Sequence, residues 1–264
     1  MTNETTPIPS NIRREIERRL SALAEAEDIR ILLAVESGSR AWGFPSPDSD
    51  YDVRFVYLRR RDAYLSLKPV RDVIERPIVD EIDLNGWDIT KTLHLLLASN
   101  AVLSEWMQSP IRYIPDHPVM EKLAVLADTV LNAKALAHHY ARLGQRAADR
   151  WLGSEGDVPV KRYFYALRPA IVILCLEQNP AMRPPMNLHE LMALCEMDKA
   201  LIADIDELVE LKSRTNEKSN GVRKPALDRF IAEQLEKPHG SPAPVKQERH
   251  LDAANQLFLE LVNQ

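Results

Sequence analysis

The stretch ESGSRAWGFPSPDSDYDVRFVYL, residues 36–58, contains a Gly-Ser pair followed by three aspartates at alternate positions. The aspartates are Asp48, Asp50 and Asp52, and an apolar run follows them. Carboxylates this close repel one another, so a positive charge must offset the repulsion. Because a divalent cation is the usual source of such a charge in proteins, the stretch predicts a metal site.

Two β-strands are predicted on either side of the Gly-Ser pair. IRILLAVES, residues 29–37, is short, apolar and rich in β-forming residues. In YDVRFVYL, residues 51–58, aromatic or apolar residues at every second position alternate with Asp52, Arg54 and Val56. Side chains alternate across a strand, so Asp50 and Asp52 should share one face while Tyr51 occupies the other. Their hard oxygen ligands favour Mg²⁺ or Mn²⁺, ions that usually also bind substrate phosphates.

A third acid is predicted from DEIDLNG, residues 80–86. Asp83 stands between two apolar residues, so its side chain should face away from the apolar side of its strand. Glu81 has the same parity and is the alternative, whereas Asp80 has the opposite parity. The predicted catalytic and metal-binding residues are therefore Asp50, Asp52 and Asp83.

The Gly-Ser pair predicts a phosphate-binding turn. It follows a predicted strand, and SRAWG, residues 39–43, can open a helical turn whose first backbone N–H groups bind phosphate. Gly38 lets the backbone approach a ligand closely, the Ser39 hydroxyl adds a donor, and Arg40 adds charge.

A second candidate nucleotide contact lies in VKRYFYALRPAIVILCL, residues 160–176, which predicts a helix. Lys161, Tyr165 and Arg168 share a face separate from the apolar stripe. Tyr165 can stack on a base while the two cations hold phosphate charge. Pro169 costs about 3 kcal/mol in a regular helix, so we expect a break or kink there. A surface helix with a structural kink is the alternative.

The residue pattern of the chain changes from mixed strand and helix to helix by about residue 115. SNIRREIERRLSALAEAED, residues 10–28, predicts a helix with Ser10 as its N-cap, and residues 71–89 hold two further short strands. Helical patterns dominate from Thr90 onward, and residues 237–247 form a Pro-rich stretch before a final helix. The mixed first part and helical second part predict an α+β fold.

Composition narrows the possible functions. The 264 residues carry a net charge of −5, so any nucleic-acid binding must come from a local patch. Cys175 and Cys195 lack a CxxC pattern and suggest reduced thiols in a cytoplasmic protein. The N-terminus has no apolar signal segment, and no run of about 18 apolar residues predicts a membrane span.

The segment GSRAWGFPSPDSDYDVR, followed by EIDLNGWDI, resembles the DNA polymerase β-like nucleotidyltransferase superfamily. That pattern is a Gly-Ser or Gly-Gly pair, then Asp-x-Asp or Asp-x-Glu, then an acid on a later strand. The residues that match it are Gly38, Ser39, Asp50, Asp52 and Asp83. Within the superfamily the chain is similar to the predicted bacterial and phage RNA-repair-pathway polymerase β family, which KRYFYALRP, residues 161–169, also resembles.

The resemblance implies a minimal palm-like mixed sheet with flanking helices, two-metal catalysis and an NTP donor, ATP among them. Together with the change in pattern near residue 115, it leads us to expect a nucleotidyltransferase domain at residues 1–115 and a helical substrate-binding domain at residues 116–264. It does not identify the acceptor.

The leading hypothesis is a metal-dependent nucleotidyltransferase that moves a nucleoside monophosphate from an NTP to a hydroxyl. An RNA 3′ end, a protein hydroxyl and a small molecule are the candidate acceptors. The rival is a nucleotide-binding regulatory or antitoxin-like module on the same fold, although a pure binder need not keep clustered carboxylates. An unrelated metal-dependent hydrolase is a third reading, and the sequence lacks the His-rich site it would need.

Overall fold

The structure is a computed structural model that describes residues 8–68, 70–153, 156–238 and 248–264. The described residues form two compact units. The first, here the sheet unit, comprises those within 8–38, 50–130 and 248–264. The second, here the helical unit, comprises those within 39–49 and 131–238.

The helices and strands follow one another in this order: α1 (Ser10–Ala26), β1 (Ile29–Glu36), α2 (Gly38–Trp42), β2 (Tyr51–Arg59), α3 (Arg61–Tyr64), β3 (Val73–Glu75), β4 (Ile82–Asp88), α4 (Ile89–Leu97), α5 (Ala101–Gln108), α6 (Val119–Thr129), α7 (Ala133–Ala148), β5 (Val158–Pro159), α8 (Val160–Gln178), α9 (Leu188–Ala193), α10 (Lys199–Arg214), β6 (Asn220–Gly221), α11 (Pro225–Glu236) and α12 (Glu248–Val262).

The sheet unit is organised around strands in the order β1-β2-β4-β3. β2 pairs antiparallel with β1 and parallel with β4, while β3 pairs antiparallel with β4. The parallel pair is central to the site because its register sets Asp52 directly opposite Asp83 and Arg54 opposite Asn85.

Apolar side chains cover both faces of this sheet. On one face Phe55 and Tyr57 of β2 belong to a cluster with Leu20 of α1. On the other, Val56 and Leu58 belong to a cluster with residues of α4, α5, α6 and α12. Asp52 and Arg54 share the parity of Val56, but they are half-buried where Val56 is fully buried. The polar residues therefore occupy the end of a face whose remainder is covered by helices.

The strands predicted at residues 29–37, 51–58 and within 71–89 are confirmed as β1 to β4, and the α+β fold class is confirmed. The segment IRYI, residues 111–114, runs beside β1, with the Tyr113 amide donating to the Ala34 carbonyl at 2.9 Å. Ser10 is the first residue of α1, and Pro9 holds the cap position without a side-chain cap, so the predicted N-cap was wrong.

Helices α6 and α12 lie in the sheet unit, so that unit continues in the chain beyond residue 115. The division into a catalytic domain at 1–115 and a substrate-binding domain at 116–264 stays a prediction about function. Most of the Pro-rich stretch at residues 237–247 lies outside the described residues.

Helix α8 runs without interruption through Pro169, so of the expected break or kink the break is wrong. Leu167, Ala170 and Ile171 on either side of the proline are fully buried. Burying a leucine or isoleucine side chain is worth roughly 1.5–3 kcal/mol each. That gain offsets the roughly 3 kcal/mol cost of an interior proline, and the helix continues.

Among the described residues, none of the helices has the length and apolar content needed to cross a bilayer. Both cysteines are free thiols, Cys175 buried and Cys195 half-buried.

Candidate active site

The site in the sheet unit is built on the polar ends of β2 and β4. Asp52 and Asp83 are register partners on these parallel strands, and their side chains are 31% and 26% exposed. Because partner residues on adjacent strands project to the same face, the two carboxylates lie together. The predicted parity therefore holds for Asp52 and Asp83, which face the same side of the sheet.

Arg54 joins the two carboxylates. Its Nη2 group donates to Asp52 Oδ1 at 2.8 Å and to Asp83 Oδ2 at 2.7 Å. Its Nη1 group donates to the backbone carbonyls of Asp83 at 3.0 Å and Val53 at 3.2 Å. A guanidinium thus supplies the positive charge that the clustered acids require, at a place where the sequence predicted a divalent cation.

Gly38 packs directly against Asp52. Its φ of +61° is a conformation that side chains with a Cβ rarely adopt. A Cβ at this position would lie 2.1 Å from Asp52 Oδ2, far inside van der Waals contact. Any larger residue at position 38 would have to displace the carboxylate, so the glycine is required for two independent reasons.

A buried glutamate holds the backbone at Asp52. The Glu36 side chain is fully buried, and its Oε1 accepts the Asp52 amide hydrogen at 2.9 Å. The Tyr113 hydroxyl donates to Glu36 Oε2, and the Ser109 hydroxyl donates to the Glu36 carbonyl at 2.6 Å. These bonds tie β1, β2 and the segment after α5 to one another beneath the acids.

Asp50 and Glu81 lie outside the strands that carry Asp52 and Asp83. Asp50 is exposed and comes just before β2. Within the described ranges, no three His, Cys, Asp or Glu side chains are grouped in a way that could hold a metal ion, so Asp50 does not complete a three-acid cluster here. Glu81 is exposed, has a φ of +62° and comes just before β4, and its carbonyl accepts the Tyr51 amide at 2.7 Å.

In the helical unit, residues 39–49 form a loop closed by its own polar groups. The Ser39 hydroxyl donates to Ser49 Oγ at 3.1 Å, and the buried Arg40 guanidinium donates to the Ser49 carbonyl. The Ser46 amide donates to the same Ser49 hydroxyl at 3.0 Å. The predicted helical turn is confirmed as α2, which begins at Gly38.

A cluster of charged side chains contacts this loop. The Lys212 ammonium, which is 2% exposed, donates to Ser46 Oγ at 2.8 Å. Glu217 accepts hydrogen bonds from the Ser49 hydroxyl at 3.0 Å and from the Lys161 ammonium. Burial lowers the pKa of Lys212 to about 8. The cluster is consequently a place where an anion is favoured and where Glu217 already supplies one.

Lys161, Tyr165 and Arg168 lie along α8 as predicted, but their exposure differs. Tyr165 is 43% exposed, and its ring is 5.4 Å from that of Trp42 in an edge contact. Arg168 is 2% exposed, donates to the Met186 carbonyl at 3.0 Å and lies 5.1 Å from the Trp42 ring centroid. A direct contact of Arg168 with nucleotide stays a prediction, and its present contacts fix Trp42 instead.

Several residues of these networks were not singled out from the sequence. Arg54 shares the parity of Asp52, and Glu36 ends an apolar strand, so both had a local signal. Lys212 and Glu217 had no local signal, because their partners Ser46 and Ser49 are 166 and 168 residues away in the chain.

An α+β fold that pairs acids on neighbouring parallel strands behind a Gly-Ser turn defines a nucleotidyltransferase-like protein. The chain matches the model of the RNA repair pathway DNA polymerase beta family over residues 12–260, and it belongs to that family. It is 35% identical over 252 residues to the uncharacterised protein YcgL of Bacillus subtilis, with 96% of each chain covered.

A solved structure, a nucleotidyltransferase-like protein from Exiguobacterium sibiricum, aligns with 95% of this chain and 79% of its own. That alignment has a TM-score of 0.31 and 11% sequence identity.

Proposed function

We propose that the protein is a metal-dependent nucleotidyltransferase that moves a nucleoside monophosphate from an NTP to a hydroxyl group. The observation that carries this proposal is the pairing of Asp52 and Asp83 at equivalent positions of two parallel strands. Asp50 stands two residues before Asp52, and Gly38 lies against the Asp52 carboxylate. Family membership supports the same assignment.

The acid pair fits a divalent cation. Both carboxylates are partly solvent-accessible, they face the same side of the sheet, and they already attract a guanidinium group. Carboxylate oxygens are the ligands that Mg²⁺ and Mn²⁺ prefer. Asp52 and Asp83 would hold the ion, with Asp50 as the further proposed ligand from just before β2. When bound, the ion would activate the attacking hydroxyl and stabilise the leaving pyrophosphate.

The remaining residues have roles that their own chemistry supports. Lys161 would bind an NTP phosphate in exchange for Glu217, because a phosphate carries the same sign of charge as the carboxylate. The exposed ring of Tyr165 would stack on the base. The loop that begins with Ser39 and Arg40 would bind donor phosphates, with Gly38 leaving room for their approach.

The Arg54 bridge also favours a second candidate. Arg54 already offsets part of the negative charge of the two carboxylates, so the protein has a counter-ion at the acids without a metal. A nucleotide-binding regulatory or antitoxin-like module could therefore keep them without catalysing transfer.

The test is to incubate the protein and Mg²⁺ with each labelled NTP and three acceptor pools: an RNA oligomer with a free 3′ hydroxyl, cell proteins and small molecules. We expect label to be transferred to one pool, with the RNA 3′ end tried first. Asp50→Asn should lower transfer by several orders of magnitude, because a ligand and a charge are lost together. NTP binding without transfer in all pools would favour the regulatory module.

Asp48→Asn is the matched control. Asp48 is also an exposed acid of the same run, but its Oδ1 accepts the Glu217 amide at 2.9 Å in the helical unit. Its substitution should leave most of the transfer activity. Near-full activity in Asp50→Asn would contradict the assignment of Asp50.

A further inference from the structure

Arg54 is the group outside the predicted site that the structure ties most closely to it. Both of its terminal nitrogens are engaged, one with the carboxylates of Asp52 and Asp83 and the other with backbone carbonyls on both strands. The Arg54 side chain is 17% exposed, less than either acid. A partly buried, planar guanidinium anchored by carbonyls holds its partners in a defined position, which a flexible surface ion pair does not do.

The hydrogen bonds from Arg54 to Asp52 and Asp83 affect the binding of a cation at these acids. Asp52 Oδ1 and Asp83 Oδ2 both accept hydrogen bonds from the same Arg54 nitrogen. A divalent cation bound to these two oxygens would meet a positive charge at hydrogen-bond distance from its own ligands. Like charges at that separation repel strongly in a partly buried site, so the guanidinium and the metal disfavour each other.

We propose that Arg54 is a resident counter-ion that competes with the divalent cation for Asp52 and Asp83. In the metal-free protein it keeps the two carboxylates aligned across β2 and β4, and on metal binding it gives up its carboxylate bonds. Arg54 is thus a positioning residue that sets the affinity for the metal. This inference rests on the proposed function, since it requires that a cation bind at the two acids.

The test measures Mn²⁺ binding to the full chain by electron paramagnetic resonance, without any turnover. Arg54→Met removes the competing charge and should lower the Mn²⁺ Kd at least tenfold. Arg54→Lys keeps the charge but loses the forked guanidinium that contacts both acids and the carbonyls. Its Mn²⁺ Kd should therefore lie between those of wild type and Arg54→Met. Arg59→Met is the control, because Arg59 is also on β2 but its guanidinium pairs with Glu27.

A second readout separates competition from a merely structural role. Without metal, Arg54→Met should unfold at a lower temperature than wild type, because two carboxylates are left without their shared counter-ion. Mn²⁺ should then stabilise Arg54→Met more than it stabilises wild type, since the ion replaces the missing charge. If Arg54→Met does not fold without metal, the comparison of Arg54→Lys with wild type carries the test.

The outcomes distinguish this inference from the function on which it rests. An equal or weaker Mn²⁺ affinity in the folded Arg54 variants would overturn the competition and leave metal-dependent transfer standing. Absence of Mn²⁺ binding in wild type and all variants, with NTP present, would overturn both. Tight binding in Arg54→Met where wild type binds weakly would support the inference.

Discussion

Replacing Gly38 by alanine should damage the protein in two separable ways. An L-residue held at a φ of +61° costs about 1–2 kcal/mol in backbone strain. The new Cβ would lie 2.1 Å from Asp52 Oδ2, so the carboxylate must move and weaken its bond to Arg54. Losing a hydrogen bond between charged groups costs about 1.5–3 kcal/mol. We therefore expect a total loss of roughly 2.5–5 kcal/mol in the free energy of unfolding.

Gly153→Ala isolates the strain term. Gly153 has a φ of +89°, but no atom of the described residues lies within 4 Å of a Cβ built there. Its substitution should cost only the backbone strain, about 1–2 kcal/mol. The excess cost of Gly38→Ala over Gly153→Ala then measures the displacement of Asp52. Urea denaturation followed by tryptophan fluorescence provides both values, and Mn²⁺ binding should weaken in Gly38→Ala alone.

A double-substitution cycle gives the decisive comparison. In an Asp52→Ala background the carboxylate is absent, and the Asp52 Cβ lies 3.5 Å from the position of the new methyl group, an ordinary contact. The excess cost of Gly38→Ala should disappear in that background. If Gly38→Ala costs the same with and without the Asp52 carboxylate, or no more than Gly153→Ala, then displacement of that carboxylate contributes nothing to the cost.

Two further predictions concern the acid pair and the buried lysine. Asp83→Asn should abolish nucleotidyl transfer, whereas the isosteric Glu81→Gln should keep a substantial fraction of the activity, because Asp83 and not Glu81 is the register partner of Asp52. The reverse ranking in a labelled-NTP assay would contradict this. Burial lowers the pKa of Lys212 from 10.5 to about 8, so between these values the unfolded chain binds more protons and stability rises with pH. The stability of wild type relative to Lys212→Met should accordingly increase by about 2–3 kcal/mol from pH 7 to pH 10 in urea denaturation, and a constant difference would count against it.

The strands and the facing of the acids were predictable because both depend on local periodicity. The period of two along a strand assigns Asp52 to the polar face of β2 and Asp83 to the polar face of β4, whatever the rest of the chain does. The Gly-Ser pair and the turn after it were equally local, and α2 begins at Gly38.

Helix α8 shows where local rules give the wrong result. The intrinsic cost of Pro169 predicted a break or kink, and the helix continues without a break because the residues around the proline are fully buried. The Arg168 guanidinium donates to the Met186 carbonyl, a contact that helical spacing alone does not indicate, and its contact with a nucleotide stays a prediction. Burial is a property of the assembled unit and cannot be read from the spacing of residues within one helix.

Local periodicity and the Gly-Ser pair indicate that carboxylates gather at the ends of two strands behind a glycine, and that a positive charge must offset them. The identity of that charge, Arg54, depends on the tertiary fold, because the guanidinium must reach across the register of β2 and β4 to contact Asp83. The same holds for Lys212 and Glu217, whose partners are far away in the chain. Periodicity is a local consequence of backbone geometry, whereas the pairing of charges depends on which distant segments the burial of apolar surface brings together.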